Sequence, residues 1–216
     1  LIYAPATPAL PAQTLAPPGL LAAAPAMLAT PQHTTLRVRS AQLNVLLARR
    51  ATVTGTLREA HGSGRAGRKV VLQGLGRHGW LTLASTRTGA LGKFRIRYVA
   101  RRLLSERVRL RFAGDRYGRP AHRPAGRLNV YRLAGASWYG GGGGLACGGS
   151  LTSSTLGVAN KTLPCGTLVT LRYQGHSVRV PVIDRGPFVA GREFDLTEAT
   201  KRALGFGDTG QVWSTG

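Results

Sequence analysis

Between residues 34 and 133, apolar and polar side chains alternate with the period of two that a half-buried β-strand imposes. Phe94-Arg95-Ile96-Arg97-Tyr98 and Arg107-Val108-Arg109-Leu110-Arg111-Phe112 show it most plainly, with apolar residues on one side and Arg on the other. Runs of this kind fall at 35–39, 51–58, 69–74, 80–86, 93–99, 107–112 and 128–133, most of them separated by Gly, Asn, Ser or charged breaks. Seven strands in about 100 residues predict an immunoglobulin-like β-sandwich over 34–133.

The pattern stays β-like from 134 to 216. A first strand is expected at 136–139, followed by the five glycines 140–144, which read as a mobile loop because ordering glycine is entropically costly. The runs 168–173 and 177–182 flank Gln174-Gly175-His176 and predict a hairpin. One short helix is expected over 196–204, with Asp195 as N-cap, Glu198 completing a capping-box-like pair and Gly205 as the stop. A closing strand is expected at 211–214. Residues 1–33 carry Pro5, Pro8, Pro11, Pro17, Pro18, Pro25 and Pro31 among alanines, which predicts a disordered tether or processed leader. The whole chain therefore reads as all-β, in three parts: 1–33, 34–133 and 134–216.

Charge sharpens this division. Residues 1–33 contain no Lys, Arg, Asp or Glu, residues 34–132 hold 23 Lys and Arg against 3 Asp and Glu, and residues 133–216 hold 7 against 5. The formal charge of +22 thus belongs to the sandwich segment. A basic surface attracts polyanions: nucleic acid, anionic lipid or phosphate-bearing wall polymer. Arg at alternate strand positions reads first as a solvated outer face. Nucleic acid is the least favoured partner, because no aromatics are interleaved as stacking platforms. No run approaches the roughly 20 apolar residues of a transmembrane helix. Residues 20–24 and the small residues after them resemble the end of a signal peptide, although no basic n-region precedes them.

The candidate chemistry lies in the C-terminal part. Val180-Pro181-Val182-Ile183-Asp184-Arg185-Gly186-Pro187-Phe188 delivers one carboxylate at the point where an apolar strand breaks into a turn. From spacing alone, Asp184 is equally well explained as a turn cap or a partner of Arg185. Cys147 and Cys165 share no C-x-x-C pattern and have no His at zinc-ligand spacing. A disulfide is favoured over two free thiols; it would contribute roughly 3 kcal/mol by loop closure and imply an oxidising compartment. No metal or cofactor is expected. Four glycines after Gly140 carry no G-K-[ST] that would make a phosphate loop.

Four ordered blocks carry a family resemblance: Ala136-Ser137-Trp138-Tyr139-Gly140, residues 157–167 (GVANKTLPCGT), Val182-Ile183-Asp184-Arg185-Gly186-Pro187-Phe188 and residues 191–197 (GREFDLT). Together they resemble the double-psi β-barrel of the rare lipoprotein A (RlpA) family, over about residues 135–216. The resemblance implies a six-stranded barrel in an extracytoplasmic, secreted or wall-associated bacterial protein acting on peptidoglycan glycan strands. Enzymatic members are lytic transglycosylases, which cleave between N-acetylmuramic acid and N-acetylglucosamine and leave a 1,6-anhydro product. Asp184 matches the catalytic-cleft aspartate and is the expected acid/base. Asp195 is a second cleft candidate, though its helix-cap role is preferred. Trp138, Tyr139 and Phe188 are candidate sugar-stacking residues, Asn160 and Arg185 candidate polar contacts, and Lys161 and Arg192 candidate contacts for acidic muramyl-peptide groups. Contact between Arg185 and Asp184 would keep the carboxylate ionised and oppose an acid role.

Two departures from the pattern count against catalysis. Gly149 stands where enzymatic members have a Glu, and Asn160 where they have a His; an amide cannot transfer a proton near neutral pH. The Cys147/Cys165 pair resembles the disulfide-bearing expansin and barwin-like barrels. A binding barrel without turnover is therefore the alternative to an enzyme. A polyanion binder acting through the sandwich is the third reading.

Overall fold

The computed structural model describes residues 30–60, 62 and 64–216. The expected tether at 1–33 lies almost wholly outside the described residues, as does His61. The first part contains β1 (Thr34–Gln42), β2 (Asn44–Leu46), β3 (Arg50–Glu59), β4 (Lys69–Gly76), β5 (Gly79–Arg87), β6 (Lys93–Val99) and β7 (Leu104–Phe112). β8 (Ala121–Tyr139) comes next. Then come β9 (Gly143–Gly144), β10 (Ser150–Leu151), β11 (Val158–Ala159), β12 (Leu168–Tyr173), β13 (His176–Asp184), β14 (Phe194–Thr197), the helix α1 (Glu198–Leu204) and β15 (Thr209–Ser214).

β1, β3 and β6 form one sheet, and β2, β8, β7, β4 and β5 lie side by side in the other. The alternation in the sequence sorts their side chains. On β6, Phe94 and Ile96 are buried while Arg95 and Arg97 are exposed; on β7, Val108, Leu110 and Phe112 point inward and Arg107 and Arg111 outward. Leu57 and Val53 from the first sheet meet Val70, Leu72, Leu110, Leu128 and Val130 from the second in one apolar cluster. Arg68 is a charged group buried beside it, and it pairs with Glu59 at 3.0 Å and Asp115 at 2.7 Å.

The second part is a closed barrel of six strands in the order β8-β15-β12-β13-β11-β14, returning to β8. β11 runs parallel to β13 and β14 parallel to β8, while the remaining pairs are antiparallel. Closure leaves no open edge along this sheet. Val158, Val169, Leu171, Val180, Val182, Phe194, Leu196 and Val212 fill its interior. The hairpin between β12 and β13 turns on Gln174 and Gly175, with Tyr173 paired to His176 and both turn residues at positive φ (44° and 95°). That is the backbone a two-residue hairpin requires.

β8 departs from the sequence reading, which expects separate strands at 128–133 and 136–139. A single strand of 19 residues runs through both. Its first half pairs with β7, its centre with β2 in parallel, and its second half with β15 and β14. Gly135 permits this continuity, because a side chain there would run into the Gly191 carbonyl oxygen. The three-residue β2 also escapes the sequence reading. Gly143 and Gly144 pair with Leu151 and Ser150 rather than forming an open loop throughout.

The helix begins later than expected. Thr197, not Asp195, is its N-cap, accepting from the Thr200 N–H at 3.3 Å, and Glu198 pairs with Arg202 instead of closing a capping box. Asp195 is held in β14 between two neighbouring strands, so it has no freedom to cap. Gly205 does end the helix in the left-handed conformation.

A polar network sits where the two cores meet on β8. Asn129 Nδ2 donates to Asn44 Oδ1 at 2.8 Å, the Tyr131 hydroxyl donates to the same oxygen at 2.9 Å, and Ser105 Oγ donates to Asn129 Oδ1 at 2.7 Å. Tyr131 is fully buried and its ring lies 5.7 Å from that of Trp213 in the barrel. Asn129→Ala should therefore destabilise by about 2–3 kcal/mol, since it removes two hydrogen bonds of the network at once, to Ser105 and to Asn44. Tyr131→Phe, which leaves Asn44 bonded, should cost only about 1 kcal/mol. Thermal melts of the two variants check the order; a larger loss from Tyr131→Phe would contradict it.

Candidate functional site

Asp184 is the last residue of β13, and the turn immediately after it fixes where its carboxylate can go. Gly186 at φ 125° provides a backbone that L side chains rarely adopt, and Phe188 packs over the space a Cβ would fill there. Asp184 Oδ1 accepts two backbone N–H groups, from Ala146 at 2.9 Å and from Arg185 at 2.8 Å. Oδ2 has no hydrogen bond among the described residues.

The cysteine pair supports this arrangement from both sides. Cys147 and Cys165 are disulfide-bonded, with Cα atoms 5.6 Å apart. The bond joins the 145–149 turn to the 160–166 loop. The first also donates Cys147 N–H to Ile183 O at 3.2 Å, and the second donates Gly166 N–H to Val182 O at 2.8 Å. Both loops are thus fastened to the strand end that carries Asp184, and the Ala146 donor belongs to one of them.

Arg185 turns away from the carboxylate. Its guanidinium donates to Asn160 O at 3.0 Å, Leu163 O at 2.7 Å and Cys165 Sγ at 3.1 Å. The sequence-level concern that it pairs with Asp184 is not realised, and it serves the 160–165 loop. Asn160 is likewise engaged: Nδ2 donates to Glu193 O at 2.9 Å, and Oδ1 accepts from Thr162 N at 3.0 Å and Leu163 N at 2.8 Å. Both of its side-chain polar atoms thus already address backbone. Lys161 is exposed; with Asn160, Arg132, Arg192 and Glu193 it lines a cavity of about 210 Å³ that does not include Asp184.

Asp195 joins Asp184 through strand register. Ala159 pairs with Asp184 on one side and Asp195 on the other, and Asp195 in turn pairs with Ser137. The two carboxylates therefore lie in one row with β11 between them, a backbone separation of roughly 10 Å from the strand spacing. Ser137 Oγ donates to Asp195 Oδ1. Tyr139, two residues on in β8, belongs with them. Its hydroxyl is buried without a hydrogen-bond partner. Burial first, and then the carboxylates of Asp184 and Asp195, push its phenol well above the ordinary range. Asp184 lies close enough to act on it both as a neighbouring charge and as a hydrogen-bonding group, although no hydrogen bond of good geometry joins the two.

Trp138 is not part of this group. Successive strand residues face opposite ways, and Trp138 donates Nε1 to Asp208 at 2.9 Å beneath Lys201, whose Nζ lies 3.8 Å from the ring centroid. Phe188 is 81% exposed just beyond Asp184, beside the half-exposed Val189, and so offers an open ring face. The position of Gly149 is an exposed turn at φ 83° with nothing within 4 Å of a Cβ. Ala146 and Ser137 escape sequence reading altogether, the first because it acts through its backbone and the second because its partner is 58 residues away. Among the described residues no cluster of His, Cys, Asp or Glu could hold a metal ion, and no helix is long and apolar enough to cross a membrane.

Known proteins resemble the barrel part of the chain. Residues 133–213 match a family model described as "Lytic transglycolase". A probable endolytic peptidoglycan transglycosylase RlpA of Synechocystis is 38% identical over 105 residues, covering 42% of this chain and 33% of that protein. The endolytic peptidoglycan transglycosylases RlpA of Pseudomonas aeruginosa and Neisseria meningitidis are 39% and 36% identical, over 40% and 45% of this chain and 27% and 41% of their own. The chain thus spans about a third of the length of the curated relatives it matches. A solved structure, the Streptomyces papain inhibitor, aligns over 39% of this chain and 91% of its own at 23% identity and a TM-score of 0.33. The closed six-stranded barrel, the ordered blocks and the matched relatives together make residues 133–213 an RlpA-like double-psi β-barrel.

Proposed function

We propose that this protein acts on peptidoglycan glycan strands outside the cytoplasmic membrane, as a lytic transglycosylase-like enzyme with Asp184 as acid and base. The observation that carries the reading is the mounting of Asp184: one oxygen anchored by two backbone N–H groups, the other unengaged, next to the exposed ring of Phe188. A carboxyl so fixed can protonate the glycosidic oxygen as the bond from muramic acid breaks. The carboxylate left behind then accepts the proton of the muramic acid 6-hydroxyl as that oxygen closes the 1,6-anhydro ring. Phe188 supplies an apolar face for a sugar. Asp195, oriented by Ser137 across β11, is the second carboxylate of the cleft. The peptidoglycan transglycosylase activity named for the relatives supports the substrate class.

A second reading, a barrel that binds glycan without cutting it, is favoured by Gly149 and by Asn160, whose amide is engaged with backbone. The sandwich, whose strand order β1-β3-β6 facing β2-β8-β7-β4-β5 supports an immunoglobulin-like assignment, would hold the barrel to an anionic wall polymer.

Digestion of purified peptidoglycan, read by mass spectrometry, separates the two readings. Wild type should release anhydro-muropeptides, and Asp184→Asn should lower that release by about 10²–10⁴-fold, the usual share of acid–base catalysis. Release of nothing by wild type, with full pelleting on the glycan, would leave the binding barrel.

Reduction should act on both fold and site. Removing the Cys147–Cys165 bond should cost roughly 3 kcal/mol and loosen the Ala146 donor, so glycan turnover should fall below the melting transition. Unchanged turnover after reduction would separate the disulfide from the site.

Tyr139 gives a pH test. Its folded-state value is raised, so its contribution to stability is complete below the unfolded value near 10 and is lost as pH rises past it. Tyr139→Phe should shift alkaline unfolding to higher pH and, by removing an unpartnered hydroxyl, add about 1 kcal/mol at neutral pH. A destabilised Tyr139→Phe would show that the hydroxyl has a partner in solution.

A further inference from the structure

The sandwich has few acids, and all of them are taken. Glu59 pairs with Arg65 and Arg68, Asp115 with Arg68, and Glu106 with Arg102. No carboxylate of the sandwich remains for its other arginines, so their placement decides what each face can do. On β6, exposed Arg95 and Arg97 lie across from Thr54 and Thr52, an arrangement that a solvated face tolerates. On β7 the pattern differs. Arg107 is paired directly with Arg127 of β8, and like charges set opposite each other are destabilising. Arg179 of the barrel adds a third cation: burial, and then Arg179 and Arg107, depress the Arg127 guanidinium below its ordinary range.

Arg107 and Arg127 border a groove of about 610 Å³ whose walls include Trp80, Arg109, His122 and Pro124 and carry no acid. Two of its guanidiniums are pre-positioned. Arg109 lies 4.1 Å from the Trp80 ring centroid and donates Nε to Gln73 Oε1 at 3.0 Å, and Arg127 Nη1 donates to Ser105 O at 3.0 Å. Holding unneutralised cations together is unfavourable unless an anion lies between them.

We infer that this groove binds the phosphodiester backbone of an anionic cell-wall polymer. Guanidinium forks match phosphate oxygens in pairs. Alternate residues on β7 are roughly 7 Å apart, a pitch that suits a three-carbon polyol phosphate repeat, and Pro124 gives the carbon chain an apolar wall. Bases would find a single aromatic to stack on, since Trp80 has Arg109 over one face and the groove's other walls carry no Phe, Tyr or Trp. The choice of a wall polymer rests on the proposed peptidoglycan role.

The test is fluorescence anisotropy of a labelled poly(glycerol phosphate) chain titrated with the full protein at several salt concentrations. Arg107→Gln/Arg127→Gln should weaken binding at least about tenfold and lower the salt slope by roughly one to two. Arg95→Gln/Arg97→Gln should stay within about twofold of wild type. Equal losses from both pairs would reduce the effect to diffuse charge and overturn the groove. Labelled single-stranded DNA binding as tightly through Arg107 and Arg127 would overturn the occupant. The Arg107→Gln/Arg127→Gln protein should melt no lower than wild type; a lower melt would contradict the mutual repulsion. Because no peptidoglycan is present, a failed digest with intact polymer binding sinks only the transglycosylase reading. Polymer binding that ignores the two arginines, beside a successful digest, sinks only the groove.

Discussion

One strand has to satisfy two cores at once. β8 contributes Leu128 and Val130 to the sandwich cluster and, a few residues later, Ala134 and Ala136 to the barrel cluster. An extended strand cannot bend sharply between them without losing ladder hydrogen bonds, so the two lobes are set relative to each other by the backbone itself. The buried Asn44–Asn129–Tyr131–Ser105 network then fixes the register at the crossing point, where apolar contacts alone would permit slippage. Everything downstream inherits this frame. β14 lies parallel on the second half of β8, which places Asp195 beside Ser137 and, through β11, in one row with Asp184.

Local physics was legible in the sequence wherever neighbours decide the outcome. Arg95 and Arg97 had to face water if Phe94 and Ile96 were buried, and Gln174-Gly175 had few alternatives to a tight hairpin. Two cysteines with no zinc-ligand spacing around them favoured the disulfide that the structure holds. Non-local pairing was not legible. Asp195 looks like a helix cap because a capping residue is recognised by the helical residues after it, whereas its real partners are Ser137 and Ala159, far upstream. β2 is three residues long and owes its existence to a parallel pairing with β8. Of the site, Asp184 stood out because a strand end and a turn flank it. Its donor Ala146 could not, since a backbone N–H leaves no mark in a sequence.

Charge obeys a similar division. The +20 balance of residues 34–132 reads as a uniform basic surface until the three acids are located. Once Glu59, Glu106 and Asp115 are seen engaged elsewhere, the arginines separate into those facing threonine and those facing one another. The same residue type, at the same alternate spacing, is a solvated face on β6 and an unrelieved cluster on β7 and β8. Cross-strand register, which one sequence does not display, makes the difference.

The replaced positions, Gly149 and Asn160, bear on chemistry differently from how the sequence suggests. A Glu at position 149 would sit on an open turn at positive φ, a conformation that L side chains rarely adopt. Asn160 braces the loop: its amide ties residues 162 and 163 to Glu193, just before the strand that carries Asp195, and its backbone carbonyl oxygen receives Arg185. That brace directs the Arg185 guanidinium away from Asp184, since the carbonyls of Asn160 and Leu163 and the Cys165 sulfur engage it from the other side. Asp184 is thereby bound by its sequence neighbour only through the backbone N–H and not by the guanidinium. The 160–165 loop, the disulfide and Arg185 thus form one device that leaves a single oxygen of Asp184 without a hydrogen bond among the described residues.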